Sequence, residues 1–250
     1  GGELRCNLRH SPNTRVSENR ARFYTAQIIL ALNFIHQHNY LHRDVKPDNM
    51  LLLSTGYIKL TDMGVSKKLE NINKCYSASG THAYMAPEIY MRGHKHGISS
   101  EWFSLGVCLH EFLLGRRPYD QKKIQSVVRL DVQVAKQMFP LKYLRQAGHV
   151  SKRSRNLCAQ LLDFDPNYRL GRYNGIDDFK AHPWFADFPW DAVERRTYPA
   201  PFCPDVTRAN CDTGITDVEE MLSEKPKPKP IKKSEQVRFE GYSYNTAFDW

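Results

Sequence analysis

One stretch limits the possible folds of this chain more than any other. From Ser100 to Leu114 the residues are apolar on nearly every side of a helix. A helix that is apolar all round has to be buried in the middle of a lobe. At 250 residues, with 41% hydrophobic and 12% aromatic content, the chain is long enough to supply the surrounding core.

Charge, apolar runs and cysteine usage indicate which partners and which cellular compartment to expect. The net charge is +9, but the basic residues are scattered, apart from one Lys-Pro tract, and no aromatics are interleaved with them. We therefore expect no nucleic-acid partner. No apolar run approaches the roughly 20 residues of a membrane span, so none is expected. The six cysteines show no C-x-x-C pair, which favours reduced thiols in a cytoplasmic protein that could also enter the nucleus.

A charged segment, His-Arg-Asp-Val-Lys-Pro-Asp-Asn, runs from His42 to Asn49 between two apolar stretches. It supplies the carboxylate of Asp44, the ammonium of Lys46 and the carboxamide oxygen of Asn49, with a proline fixing the turn. Phosphoryl transfer depends on positioning and charge neutralisation, so it needs a base, a phosphate clamp and a metal ligand on one rigid turn. The segment therefore indicates that chemistry.

The residues around this segment have helical and hairpin patterns. Ser17 is a candidate N-cap, and a long helix with one buried stripe is predicted after it from Phe23, Gln27, Leu30, Ala31, Phe34, Ile35 and His38. His36 and His38 are expected at the surface. After the segment, two short apolar runs flank the turn at 54–56 and predict a β-hairpin over 50–60.

Further motifs follow in a fixed order: Asp62-Met63-Gly64, Gly80-Thr81 and Ala86-Pro87-Glu88. This order and spacing resembles the eukaryotic protein kinases, with His42–Asn49 as the catalytic loop. The resemblance implies a mainly α fold with a small β-hairpin component, namely the C-terminal lobe (α+β) of a protein kinase followed by an extended tail. Residues 1–190 would form the large lobe and residues 191–250 the tail.

The two ends of the chain extend the resemblance. Gly1-Gly2-Glu3-Leu4 resembles the end of the kinase hinge, so we expect the N-terminal lobe in the full-length chain and no activity from this fragment alone. Pro201-Phe202-Cys203-Pro204, a Lys-Pro linker at 225–233 and an aromatic motif at 239–244 resemble the tail of the AGC group, which contains the cyclic-nucleotide-dependent and phospholipid-dependent kinases.

The resemblance implies a protein serine/threonine kinase that uses ATP and Mg²⁺. Asp44 would orient the substrate hydroxyl and accept its proton, Lys46 would neutralise the transferring phosphoryl group, and Thr81 would bond to both. Asn49 and Asp62 would hold magnesium. Lys46 also favours Ser and Thr over Tyr as acceptors.

Other positions would bind the nucleotide and the protein substrate. Leu51 would form the floor under adenine, and Glu3 would also lie at the nucleotide. Glu3, Asp48 and Glu111 match acidic positions that bind arginines upstream of the acceptor in related kinases, so basic substrates are expected.

Two sets of residues would regulate and support the lobe. Ser77 and Ser243 match phosphorylation sites, which implies an upstream activating kinase, and Arg43 and Lys67 would receive the phosphate on Ser77. Glu88 is expected to form a buried ion pair with Arg169. Glu101 stands where an Asp normally caps the central helix and bonds back to the catalytic-loop backbone.

Two other functions remain open. Glu101 and Met63 depart from the usual kinase residues, which would suit a pseudokinase scaffold. The absence of the small lobe from this chain would suit a binding module without catalysis.

Overall fold

The computed structural model describes residues 1–69, 75–91, 95–120, 134, 136–137 and 141–207. Its helices are α1 (Leu4–Arg9), α2 (Glu18–Gln37), α3 (Ile98–Leu114), α4 (Lys142–Gln146), α5 (Lys152–Leu161), α6 (Ile176–Ala181) and α7 (Trp190–Glu194). Its strands are β1 (Tyr40–Leu41), β2 (Met50–Leu52), β3 (Ile58–Leu60) and β4 (Lys67–Lys68). Short 3₁₀ turns cover Pro12–Thr14, Pro47–Asn49, His82–Tyr84, Pro87–Tyr90 and Pro183–Phe185. Within the described residues, no helix has the length and apolar character that crossing a membrane requires.

Helix α3 is the centre of the core, as its apolar sequence predicts. It packs between α2 and α5 and is buried along almost its entire length. Gly106 allows close packing, because a Cβ there would approach the Cβ of Leu161 to 2.8 Å. The helix ends at Leu114, and its C-cap is Gly115, whose φ of 69° lies in the left-handed region that glycine adopts easily.

Helix α2 begins where the sequence predicts, but its buried face is rotated from the expected one. The Ser17 side chain accepts a hydrogen bond from the Arg20 backbone N–H. Phe34 was expected in the buried stripe and is 63% exposed, whereas His36 was expected at the surface and is buried. Near the end of α2 the residue that faces α3 is His36, and its ring contacts the carboxylate of Glu101. Burial therefore follows the polar partner rather than the apolar pattern.

Two small antiparallel sheets lie beside the helices. The predicted hairpin is present as β2–β3, with Met50 opposite Leu60 and Leu52 opposite Ile58. The side chain of Gln27 on α2 accepts a hydrogen bond from the Ile58 N–H at 2.8 Å, which fixes the hairpin against the core. The second sheet, β1–β4, was not predicted, because strands of two residues are too short to show an alternating pattern.

Glu88 and Arg169 form a buried bidentate ion pair, as the sequence analysis expects. Arg169 Nη1 lies 2.6 Å from Glu88 Oε1, and Nη2 lies 3.0 Å from Oε2. The guanidinium also donates to the carbonyl oxygens of Asp163 and Ser99. These bonds connect the segment before α3 to the turn after α5 and to the start of α3 itself.

The described part of the predicted tail lies on the core. The Tyr57 hydroxyl donates to the Tyr198 carbonyl oxygen at 2.7 Å, and the Arg20 guanidinium lies 3.7 Å from the centroid of the Phe202 ring. The linker at 225–233, the motif at 239–244 and Ser243 lie outside the described residues.

Candidate active site

The catalytic loop and Thr81 form one hydrogen-bonded cluster. Asp44 Oδ2 lies 2.7 Å from Lys46 Nζ and accepts a bond from Asn49 Nδ2 at 3.0 Å. The Thr81 backbone N–H donates to Asp44 Oδ1 at 2.7 Å, and Thr81 Oγ1 accepts a bond from Lys46 Nζ at 2.7 Å. The fold therefore brings together the four residues that the sequence analysis assigns to catalysis, although Thr81 lies 37 positions from Asp44 in the chain.

These hydrogen bonds keep Asp44 ionised. Burial of the side chain would by itself raise its pKa, but the hydrogen bonds from Lys46, Thr81 and Asn49 outweigh burial and lower the pKa below its usual value. At neutral pH the group is a fixed carboxylate that can accept a hydrogen bond from a substrate hydroxyl.

The lowered pKa of Asp44 predicts how stability depends on pH. Its ionic contribution is fully present above the ordinary pKa of 3.8 and is lost as the pH falls through the lower folded-state pKa. We expect the difference in free energy of unfolding between the wild type and Asp44→Asn to be constant from about pH 8 to about pH 5 and to shrink at lower pH. Urea unfolding at a series of pH values measures this. A difference that already changes near pH 7 would contradict it.

Glu101 connects the catalytic loop to α3. Its Oε1 accepts a bond from the Arg43 backbone N–H at 2.5 Å, and its Oε2 lies 2.6 Å from His36 Nε2. The expectation that this residue caps α3 is wrong, because the N-cap is Gly97 and Glu101 lies in the first turn of the helix. From that position the longer side chain reaches the loop backbone directly.

His42 positions the segment that carries Asp62. Its Nε2 lies 2.9 Å from the Thr61 carbonyl oxygen, and its Nδ1 accepts a bond from the Asp44 backbone N–H at 3.2 Å. Thr61 also donates through its backbone N–H to the Asn49 carbonyl oxygen at 2.9 Å. Asp62 itself is exposed and has a φ of 66°, a strained value for a non-glycine residue that is common at functional sites.

Leu51 and Glu3 lie on the outer side of the hairpin. Met50 and Leu52 of β2 are buried, and Leu51 between them is 39% exposed. A backbone bridge joins Leu51 to Glu3, which is also exposed. An apolar side chain is thus available on the strand that directly follows Asn49.

A family comparison agrees with this geometry. A model of the protein kinase domain matches residues 1–185. The chain belongs to the protein kinase family.

Curated relatives of this kinase chain match nearly all of it. Protein kinase 2 of Dictyostelium discoideum is 32% identical over 252 residues, which cover 98% of this chain and 50% of the relative. Protein kinase C zeta type of Oryctolagus cuniculus is 34% identical over 254 residues, with 98% and 42% covered. Serine/threonine-protein kinase sck1 of Schizosaccharomyces pombe is 32% identical over 262 residues, with 100% and 36% covered. The kinase chain therefore spans half or less of the length of these relatives.

Ser77 of the kinase lies against one of its two expected basic partners. Arg43 Nη1 donates to Ser77 Oγ at 2.8 Å, and Arg43 Nε donates to the Val65 carbonyl oxygen at 2.5 Å. Lys67 is exposed on β4, where its backbone pairs with Leu41. Among the contacts of the described residues, none joins the side chain of Lys67 to Ser77.

The three predicted substrate-binding carboxylates do not form one group. Asp48 and Glu111 converge on the guanidinium of Arg5, whereas Glu3 is exposed beside Leu51 and is not part of that network. The structure therefore places two of the three carboxylates together on Arg5, and the role of all three in binding substrate stays a prediction.

The sequence assigns no role in the site to Arg5 or to His36, which was expected at the surface. Their partners are distant in the chain: Arg5 is 106 positions from Glu111, and His36 is 65 positions from Glu101. No local pattern marks either residue.

Proposed function

We propose that the full-length protein is a protein serine/threonine kinase that transfers the γ-phosphoryl group of ATP to Ser and Thr hydroxyls. The observation that carries this proposal is the ionised Asp44, held by Lys46, Asn49 and Thr81. In this arrangement Asp44 orients the hydroxyl and accepts its proton, and Lys46 lies where it can offset charge on the phosphoryl group. Thr81 holds the two side chains at a fixed separation.

Magnesium and ATP belong to the same proposal. The Asn49 amide oxygen and the exposed Asp62 carboxylate are the hard oxygen donors that suit Mg²⁺. Among the described residues, no group of three or more His, Cys, Asp and Glu side chains is arranged as a metal site. A set of few protein ligands fits an ion that is also held by phosphate oxygens, and such an ion would neutralise phosphate charge. Leu51 would contact the purine through its apolar side chain.

We assign the kinase to the AGC group and to the cytoplasm. Support for the group comes from Phe202 of the tether-like segment, which packs under Arg20, and from a relative named protein kinase C zeta type. Cys108 and Cys158 are buried free thiols, which suits a reducing compartment. A preference for arginine in the substrate is proposed at exposed Glu3, since Asp48 and Glu111 already hold Arg5.

A direct assay tests the proposed activity. Full-length protein is incubated with Mg-ATP and a library of Ser-, Thr- and Tyr-containing peptides, and the modified residue is identified by mass spectrometry. The kinase proposal requires phosphate on Ser or Thr. Nucleotide binding without transfer by wild-type protein would instead support the pseudokinase scaffold.

Ser77 is proposed as an activating phosphorylation site, with Ser243 as a second. A phosphate on Ser77 would meet Arg43, which also donates its backbone N–H to Glu101 and so connects the site to the catalytic loop. We expect Ser77→Ala to lower the rate of peptide phosphorylation about tenfold, a loss of roughly 1.4 kcal/mol. Ser79→Ala in the same segment is the matched control. Equal rates for wild type and Ser77→Ala, with phosphate detected on wild-type Ser77, would exclude an activating role.

A further inference from the structure

Arg5 fills a binding site made by two carboxylates. Its Nη1 lies 2.5 Å from Glu111 Oε1, and its Nη2 lies 3.1 Å from Asp48 Oδ2, which Nε also approaches at 3.3 Å. Nη2 also bonds to the Tyr84 hydroxyl, which in turn donates to Glu111 Oε2 at 2.7 Å. Three guanidinium nitrogens, two carboxylates and one hydroxyl therefore form a closed network.

The network stabilises the charged form of Arg5. Burial alone would lower the pKa of Arg5, but the hydrogen bond and charge of Glu111 outweigh burial and raise the pKa above its usual value. Burial raises the pKa of Tyr84 well above its usual value, so its hydroxyl stays neutral. Glu111 is buried, and each of its side-chain oxygens accepts a bond within the network, Oε1 from Arg5 and Oε2 from Tyr84. Charge-assisted bonds of this kind are among the strongest that side chains make.

This site opens beside the catalytic cluster. A surface cleft of about 400 Å³ is lined by Arg5, Asp48, Glu111 and Tyr84 together with Thr81, which bonds to Asp44. A peptide whose hydroxyl lies at Asp44 would therefore run close to the carboxylate pair. The bound guanidinium of Arg5 shows directly that the pair accepts an arginine side chain.

We propose that Arg5 is a specificity-determining residue, an internal arginine that occupies the Asp48–Glu111 site and so prevents the kinase from selecting an arginine of the substrate there. This inference rests on the proposed function, because it concerns the substrate of that same site. The substrate residue that faces this site is expected to be neutral, since a second cation would meet Arg5 rather than a free carboxylate.

Competition favours the internal arginine. Arg5 is held on the folded helix α1, so its effective concentration at the carboxylates is on the order of 1 mM or more. A peptide substrate at micromolar concentration has to displace it and leave its guanidinium without those partners. Removal of Arg5 should therefore leave the Asp48–Glu111 site free to bind an arginine of the substrate, and not only weaken the fold.

The test separates peptide binding from phosphoryl transfer. Full-length wild type, Arg5→Ala and Arg5→Leu are compared with labelled peptides that carry one serine and a single arginine or norleucine at each upstream position. Fluorescence anisotropy gives Kd, and a parallel assay with Mg-ATP gives the rate of phosphorylation. Arg5→Leu keeps a large side chain against Tyr84 in case Arg5→Ala does not fold. Arg15→Ala removes one positive charge from a residue that contacts His149 instead and serves as the matched control.

The measured selectivity is the Kd of the norleucine peptide divided by the Kd of the arginine peptide. At one upstream position we expect this ratio to be at least about tenfold higher in both Arg5 variants than in wild type. Addition of Glu111→Gln to Arg5→Leu should remove that gain, and Arg15→Ala should show none. Equal selectivity in wild type and both variants would overturn the inference. If the selectivity appears in binding while no protein phosphorylates any peptide, the proposed function fails and the role of Arg5 stands.

Discussion

Asp44→Asn is expected to lower the rate of peptide phosphorylation about 100- to 10,000-fold, the range for loss of a positioned acid–base group. Asparagine preserves the size of the side chain but has one acceptor oxygen instead of two. It therefore cannot keep both the bond that Thr81 donates to Oδ1 and the bonds that Lys46 and Asn49 donate to Oδ2. The substrate hydroxyl would lose its ionised acceptor, and Lys46 would keep its bond to Thr81 but lose its anionic partner. Initial rates of full-length protein with Mg-ATP and a Ser peptide measure the effect.

Two controls make this result specific. Asp191→Asn changes an exposed residue in the first turn of α7 in the same chemical way and should leave the rate unchanged. Circular dichroism at the assay temperature has to show that Asp44→Asn is folded. A folded Asp44→Asn protein with wild-type activity would assign the proton acceptor to another group and remove the main support for the proposed chemistry.

Arg169→Ala is expected to lower the free energy of unfolding by about 3–5 kcal/mol, because it leaves a buried carboxylate without its cation. Glu88 would lose both of its bonds to the guanidinium, and the carbonyl oxygens of Asp163 and Ser99 would also lose their donor. Urea unfolding monitored by tryptophan fluorescence measures the loss. Arg153→Ala, on an exposed position of α5, is the control and should change stability by no more than about 0.5 kcal/mol.

A double-mutant cycle isolates the pair itself. Glu88→Ala should also be strongly destabilising, because it strands the buried guanidinium of Arg169. The double variant leaves neither charge unpaired, so it should cost clearly less than the sum of the two single variants. Strict additivity would mean that the two residues act independently, despite their 2.6 Å contact.

Glu101 and Met63, the two departures from the usual kinase residues, lie in different surroundings in the structure. Glu101 reaches the catalytic-loop backbone from the first turn of α3 and gains His36 as a second partner. The replacement of the usual Asp therefore preserves the connection between loop and helix. Met63 is exposed, and the described contacts give it no packing role that bears on activity.

The sequence by itself determined the elements that depend on local pattern. The all-apolar run predicts the buried helix α3, the alternation around Gly56 predicts the hairpin, and the order of motifs locates the catalytic loop, whose residue roles stay a prediction. Such features can be predicted from the sequence because the periodicity of side chains and the chemistry of a single turn are properties of neighbouring residues.

Only the tertiary structure decided which charged groups meet across the chain. Asp48, Glu111 and Glu3 look equivalent as acidic residues, yet the fold joins two of them to Arg5 and leaves the third on the hairpin face. Arg5 is separated from these partners by 43 and 106 positions. What a carboxylate can bind depends on which cation already contacts it. For residues this far apart in the chain, the packing of α1 and α3 around the loop decides that contact, and no local pattern does.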